Sequence, residues 1–357
     1  MATATATMTS RQRVRATLQR QQPDRVPVWC GATPEFWQKA KQQLGVDDEG
    51  LRLRLGDDFR RLGVMVSRAP DAAPLPPGAT GRTNFGVPRR GLGYGQAVAN
   101  PLANATLREV HAYPWPDLNA PIRLVADSSV HSGRYAVLGG TYSLFWHDLI
   151  DLLGMENMYL KMYDEPLLVD TILQHVVDYH VAVNRKVFEA AGHLIDIYFL
   201  ANDFGSQHGP LLSEDMFRRF IVPHLRRLAI LGHDFGLKVM LHSCGSIYPL
   251  IPAIIECGID VLHPVQPCGQ MDLAQLKAEF GDRIVLNGAI DAQHTLIEGS
   301  PEIVRRKTRE VLGIMKPGGG YIGGASHDTI MGETPVANVL AMFDTLRAEG
   351  EYAVPFV

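Results

Sequence analysis

A chain of 357 residues with 46% hydrophobic and 20% charged residues has the composition of a folded globular protein, too rich in apolar side chains to stay disordered. Its 34 basic and 38 acidic residues leave a net charge of −4, which offers no basic surface to a nucleic acid. No run approaches the roughly 20 apolar residues of a membrane span, and the four cysteines (Cys30, Cys244, Cys257, Cys268) are too few for a disulfide scaffold, so free thiols and a cytoplasmic location are expected.

Residues 1–23 hold Arg11, Arg13, Arg15 and Arg20 and no acid. The opening MATATATMTS lacks the apolar core of a secretory signal, so this stretch is expected to be a flexible tail and a leading helix capped near Ser10. Residues 24–350 read as one domain. Apolar runs of strand length recur along it at Arg25–Trp29, Phe59–Val66, Tyr135–Gly139, Leu194–Leu200, Leu237–Leu241, Ile259–His263, Ile284–Asn287 and Tyr321–Gly324. Several are continuously apolar rather than alternating, as parallel strands buried on both faces should be.

Helical patterns lie between them. Ser300-Pro301-Glu302 offers an N-cap followed by proline at the first helical position, and Gly318-Gly319-Gly320 closes the pattern. Thr334-Pro335 opens another helix in the same way. The stripe within Glu214–Gly232 contains Pro223, which should kink it. Strand then helix, repeated about eight times, predicts an α/β fold, a (β/α)8 TIM barrel, with an open doubly wound sheet as the alternative. No G-x-G-x-x-G or P-loop sequence follows a strand, so the open sheet lacks a nucleotide-binding signature. Residues 68–131, rich in Pro, Gly, Asn and Arg, read as a loop-rich insertion near the barrel mouth, suited to covering a site or docking a partner.

Barrel active sites form at the C-terminal ends of the strands. The run ending at Leu241 continues His242-Ser243-Cys244-Gly245. In extended chain, residues i and i+2 point the same way, so imidazole and thiolate converge, and that is the donor mix zinc prefers. A catalytic zinc takes three protein ligands. His327, after the last strand in Ala325-Ser326-His327-Asp328, is the best third candidate, with Cys268 and His263 in reserve. After Leu200 come Asp203 and Gln207, short polar groups suited to orienting a ligand; helix capping would equally account for Asp203. Asn287, Asp291, Tyr142 and His147 are further candidates for the mouth, with Tyr142, His263 and Asn287 read as substrate-binding.

The segments LHSCGSIYPLIP, GIDVLHPVQP, DRIVLNGAID and GGGYIGGASHD, closed by TPVANVLAMF, resemble in this order the uroporphyrinogen decarboxylase superfamily. The resemblance runs from about residue 24 to 348 and includes NPLANATLREVHAYPWPD. It implies one of two activities. The decarboxylase branch is a cofactor-free dimeric barrel acting on a tetrapyrrole, which implies a homodimer. The other branch holds zinc-dependent methyltransferases that move a methyl group between a corrinoid protein and a thiol or folate. The decarboxylases carry an Arg-rich loop after the first strand; here Val26 to Gln38 contains no Arg or Lys. The methyltransferases bind zinc through His-x-Cys, matched by His242 and Cys244, and a late ligand that is usually Cys. Here His327 stands in that region, as a zinc ligand or, as in the decarboxylases, an active-site histidine without metal.

The expected activity is therefore methyl transfer between a corrinoid, or a small methylated substrate, and a zinc-activated acceptor. The alternatives are a metal-free decarboxylase or lyase with Asp57, Asp58 or Asp203 as the acid, and a non-enzymatic corrinoid or small-ligand binder.

Overall fold

The computed structural model describes residues 8–67, 74–91, 95–327 and 329–352. Parts of the expected insertion (68–73 and 92–94) and Asp328 lie outside the described residues. Seven strands form one sheet in the order in which they occur in the chain: β1 (Phe59–Arg61), β2 (Ala136–Gly139), β3 (Ile197–Ala201), β4 (Lys238–His242), β5 (Val261–Val265), β6 (Val285–Ile290) and β7 (Tyr321–Ala325). Every neighbouring pair is parallel, with helices in the connections.

Strand side chains alternate between two sides. Phe59, Leu138, Ile197, Phe199, Met240, Val261, Val285 and Ile322 share one inner apolar cluster with Trp29, whereas Val137, Leu200, Val239, Leu241 and Leu286 join the cluster beneath the helices. Burying each such side chain contributes roughly 1.5–3 kcal/mol, so the two-sided burial fixes the register of each strand.

Two expected strands differ from the prediction. Arg25–Trp29 forms isolated bridges rather than a strand, because Pro27 has no N–H to donate. Its backbone still spans the two edges of the sheet. Trp29 N donates to Gly323 O (3.0 Å), Gly323 N to Pro27 O (2.8 Å), and Asp58 N to Val28 O (3.0 Å). The run Phe59–Val66 divides at Leu62: Phe59–Arg61 stays in the main sheet, while Gly63–Val66 pairs antiparallel with Ile122–Val125. The remaining strands fall within three residues of expectation at either end.

Ser300 caps the helix Pro301–Met315 by accepting from Ile303 N. The expected kink at Pro223 is a break, with one helix ending at Phe220 and the next running Val222–Asp234. The described part of the insertion holds a three-stranded antiparallel sheet and the helix Leu107–Ala112. It packs on the long helix Pro166–Ala191: the Trp115 ring stacks on His175 at 4.6 Å, and Lys186 donates to Leu118 O (2.8 Å).

His224, on the helix Val222–Asp234, is buried beside Phe145, and its Nδ1 has no hydrogen-bond partner among the described residues. Burial, then the charge of Arg227, lowers its pKa from 6.5 to about 4. Between those values the unfolded chain binds a proton that the folded chain does not, so stability is lost as pH falls through this window. A melting temperature that drops between pH 6.5 and 4, and drops less in His224→Phe, is the expected result; an unchanged pH profile in the variant would contradict it.

Candidate active site

The inward face of β4 ends at His242, which is 7% exposed. Its Nε2 lies 3.1 Å from Asp203 Oδ1 and 3.3 Å from Cys244 Sγ. The donor atoms of Asp203, His242 and Cys244 all fall within 4.8 Å of one another. One carboxylate oxygen, one imidazole nitrogen and one sulfur at that spacing make a set that zinc accepts.

Local structure builds this convergence. Asn202, immediately after β3, is fully buried; its Oδ1 accepts from Trp146 N (2.9 Å) and its Nδ2 donates to Ser143 O (3.0 Å). Asp203 is thereby set at the strand end, where Oδ1 also accepts from Cys244 N (2.9 Å). Ser243 Oγ accepts from Phe204 N (3.0 Å), and Gln266 Oε1 from Gly245 N (2.9 Å). Gly245 adopts φ +84°, and a Cβ there would lie 2.6 Å from the carbonyl carbon of Gly205. Gly245→Ala is therefore expected to displace the Cys244 loop and cost about 1–3 kcal/mol, read by chemical denaturation. Full stability with unaltered Cys244 alkylation kinetics would refute this.

Burial pushes the Asp203 carboxyl upward, but hydrogen bonds from His147 and His242 outweigh it and hold the group well below the usual carboxylate range. The His147 Nε2 lies 3.4 Å from Asp203 Oδ2 and 3.2 Å from Asp203 N. For Cys244, burial again acts upward, and the positive charge at His242 with hydrogen bonds from His242 and His327 brings the thiol below its ordinary value. A shift in this direction favours the thiolate form. His327 hydrogen-bonds Cys244 and is held through Nδ1 by the backbone of Thr329 (2.9 Å to its O).

Other expected residues take different places. His263 and Asn287 are buried on the inner wall and bonded to each other, with the His263 ring 5.2 Å from that of His242 and 4.1 Å from Trp29. Gln207 is exposed and bonded to Gln266 (3.3 Å) rather than to the triad. Burial and then the charge at Cys244 raise the Cys268 thiol. Asp291 caps the short turn after β6, accepting from Gln293 N (3.0 Å) and His294 N (3.1 Å). Tyr142 is 43% exposed at the mouth.

The family model described as uroporphyrinogen decarboxylase (URO-D) matches residues 137–349, more than half of the chain. The chain belongs to the URO-D family. A uroporphyrinogen decarboxylase from Chlorobium limicola is 24% identical over 53% of this chain and 51% of its own length. One from Pelodictyon phaeoclathratiforme is 24% identical over 49% and 47%. The match thus spans about half the length of these curated relatives. A solved methyltransferase from Methanosarcina mazei shares the fold with a TM-score of 0.67 at 18% identity, covering 96% of this chain and 99% of that one.

In this URO-D family member a basic residue does reach the mouth, but from β1 rather than from the segment Val26 to Gln38. Phe59 faces the inner cluster, so Arg61, two residues on, faces inward at the strand's C-terminal end. Its guanidinium lies 3.9 Å over the Tyr142 ring and 5.1 Å from that of Phe199. The alternation of Phe59 and Arg61 was the available sequence signal.

Proposed function

We propose that this URO-D family protein is a zinc-dependent methyltransferase. Its metal ligands would be Asp203, His242 and Cys244, with His327 hydrogen-bonding the thiolate. The carrying observation is the Asp203–His242–Cys244 cluster, its donor atoms within 4.8 Å of one another at the C-terminal ends of parallel strands. In this reading Pro27–Trp29 completes the sheet as the eighth strand of a closed barrel, supported by its hydrogen bonds to both edges.

Zinc bound there would supply a Lewis acid that favours the thiolate form of an acceptor thiol at neutral pH. Asp203, held ionised by His147 and His242, would offer a carboxylate oxygen to a divalent cation. His147 and Tyr142, both partly exposed, line the approach from solvent. The wall of Phe199, Trp29 and His263 excludes water from the inner side. The methyl donor would be a corrinoid, carried by a partner protein or free, or a small methylated compound. A homodimer and a cytoplasmic location belong to the same reading; among the described residues, no helix is long and apolar enough to cross a membrane.

The test is the metal content of purified protein, together with methyl transfer from methylcobalamin to a thiol before and after chelation. Stoichiometric zinc and chelator-sensitive transfer are expected. Transfer that survives removal of all metal would defeat the reading.

The names of the curated relatives favour a metal-free decarboxylase as a second reading. Of the acids Asp57, Asp58 and Asp203, only Asp203 stands at the mouth, where it would act as an ionised carboxylate. Asp57 and Asp58 precede β1, at the end away from the mouth, and are engaged by Arg52 (2.8 Å) and Arg13 (2.7 Å).

A further inference from the structure

Arg60 and Arg61 are adjacent, and the fold treats them differently. Arg60 faces outward and is saturated: Nε and Nη2 donate to Glu49 at 3.0 and 2.6 Å, Nη1 donates to two backbone carbonyls, and the guanidinium stacks 3.6 Å over Tyr135. Arg61 faces the mouth, with the Tyr142 and Phe199 rings as its neighbours. Its Nη2 is buried without a hydrogen-bond partner, and among the described residues no carboxylate pairs with it. The carboxylate of Asp203, on the same rim, is taken by His147 and His242.

A guanidinium partly removed from water with a buried N–H left unpaired is costly unless another group completes it. Where this chain buries an arginine for stability alone, as at Arg60, Arg13 and Arg25, it supplies acids. At Arg61 it supplies two aromatic faces and an opening, since Tyr142 is 43% exposed. The Phe199 ring continues from Arg61 to His242, 6.3 Å between ring centres, and to His263 at 5.9 Å. Arg61 and His242 of the Asp203–His242–Cys244 cluster thus neighbour one aromatic ring.

We propose that Arg61 receives a carboxylate of the substrate, so that the site takes a small anionic compound whose body lies along Phe199 and Tyr142 and whose reacting end meets the His242–Cys244 cluster. Planar bidentate pairing with carboxylate is what a guanidinium fork does best, and the flanking rings keep its plane fixed. The proposal rests on the methyl-transfer reading for the reacting end; the carboxylate site stands on Arg61 alone.

The experiment compares two thiols, 3-mercaptopropionate and neutral 2-mercaptoethanol, by their dissociation constants for full-length protein, with zinc measured in the same samples. The wild type is expected to prefer the carboxylate by about 10-fold or more, the scale of a hydrogen bond to a charged group. Arg61→Met should abolish the preference without changing zinc content, and Arg61→Lys should restore part of it. A wild type that binds both thiols equally, or an Arg61→Met protein that keeps the preference, overturns the proposal. Preference for the carboxylate in protein that carries no zinc would uphold Arg61 while removing the metal reading; stoichiometric zinc without preference would do the reverse. If Arg61→Met does not fold, the wild-type comparison and Arg61→Lys decide.

Discussion

His242→Ala protein is expected to lose its metal and its methyl-transfer activity together, and Cys244→Ala protein to do the same. A catalytic zinc rests on three protein ligands, so deleting one leaves two and exposes the ion to displacement by water. Changes to groups that merely support ligands typically cost 10–100-fold in affinity, so loss of a ligand should cost about 100-fold or more. Asp203→Asn should fall between these and the wild type. It keeps an oxygen in place to accept from Cys244 N but removes the charge that His147 and His242 hold in place. Metal content after dialysis, measured by atomic emission, separates the three variants. Full retention of zinc by both His242→Ala and Cys244→Ala would remove the ion from this cluster, leaving those side chains a role in binding or acid–base work.

How much of this site sequence reading reaches follows from where each residue sits. His242 and Cys244 are legible because the i, i+2 rule holds at the end of a strand and both side chains turn to the same point. Asp203 is legible as a mouth residue, but its closeness to the pair depends on the parallel pairing of Ala201 with His242 across β3 and β4, which no local pattern carries. His327 reaches Cys244 by a loop, and loops do not declare their geometry. Arg61 is hidden for a different reason: a basic residue is sought after the first apolar run, and Arg25–Trp29 reads as that run. The regular strand in this part of the chain is β1, and the side chain that reaches the mouth is on it. Pro27 makes Arg25–Trp29 a run of isolated bridges instead of a ladder, and Gly63 lets the chain leave the sheet after Leu62 to pair with Val125. Both departures occur at a Pro or Gly within an apolar run, where hydrophobic pattern and backbone chemistry disagree.

Asp58→Ala should be the most destabilising of the single changes considered, by about 3–5 kcal/mol, because it leaves buried cations without their partner. Asp58 is fully buried. It accepts from Arg13 Nη1 (2.7 Å), Arg25 Nη1 (2.9 Å), Arg25 Nη2 (3.1 Å) and Val28 N (2.9 Å). Its backbone donates to Val28 O (3.0 Å) and accepts from Ala136 N (3.1 Å). The carboxylate thus ties the leading helix Ser10–Leu18 and the segment Arg25–Val28 to the start of β1, while the Asp58 backbone adds the tie to β2. Arg13, 4% exposed, would keep Asp24 as its one acidic partner, beside the Met8 carbonyl (2.9 Å). Asp58→Asn should cost less, because its carbonyl oxygen still accepts one of these bonds. Urea denaturation measures the change, and a loss below about 1 kcal/mol, the scale of an exposed ion pair, would show that the segment is held by its backbone bonds alone. The same variant also tests the chemistry. Asp58 precedes β1, at the end away from Asp203 and His242, so zinc content and turnover per folded molecule should survive its loss. A decarboxylase using Asp58 as its acid would instead lose turnover while its zinc content, if any, stayed the same.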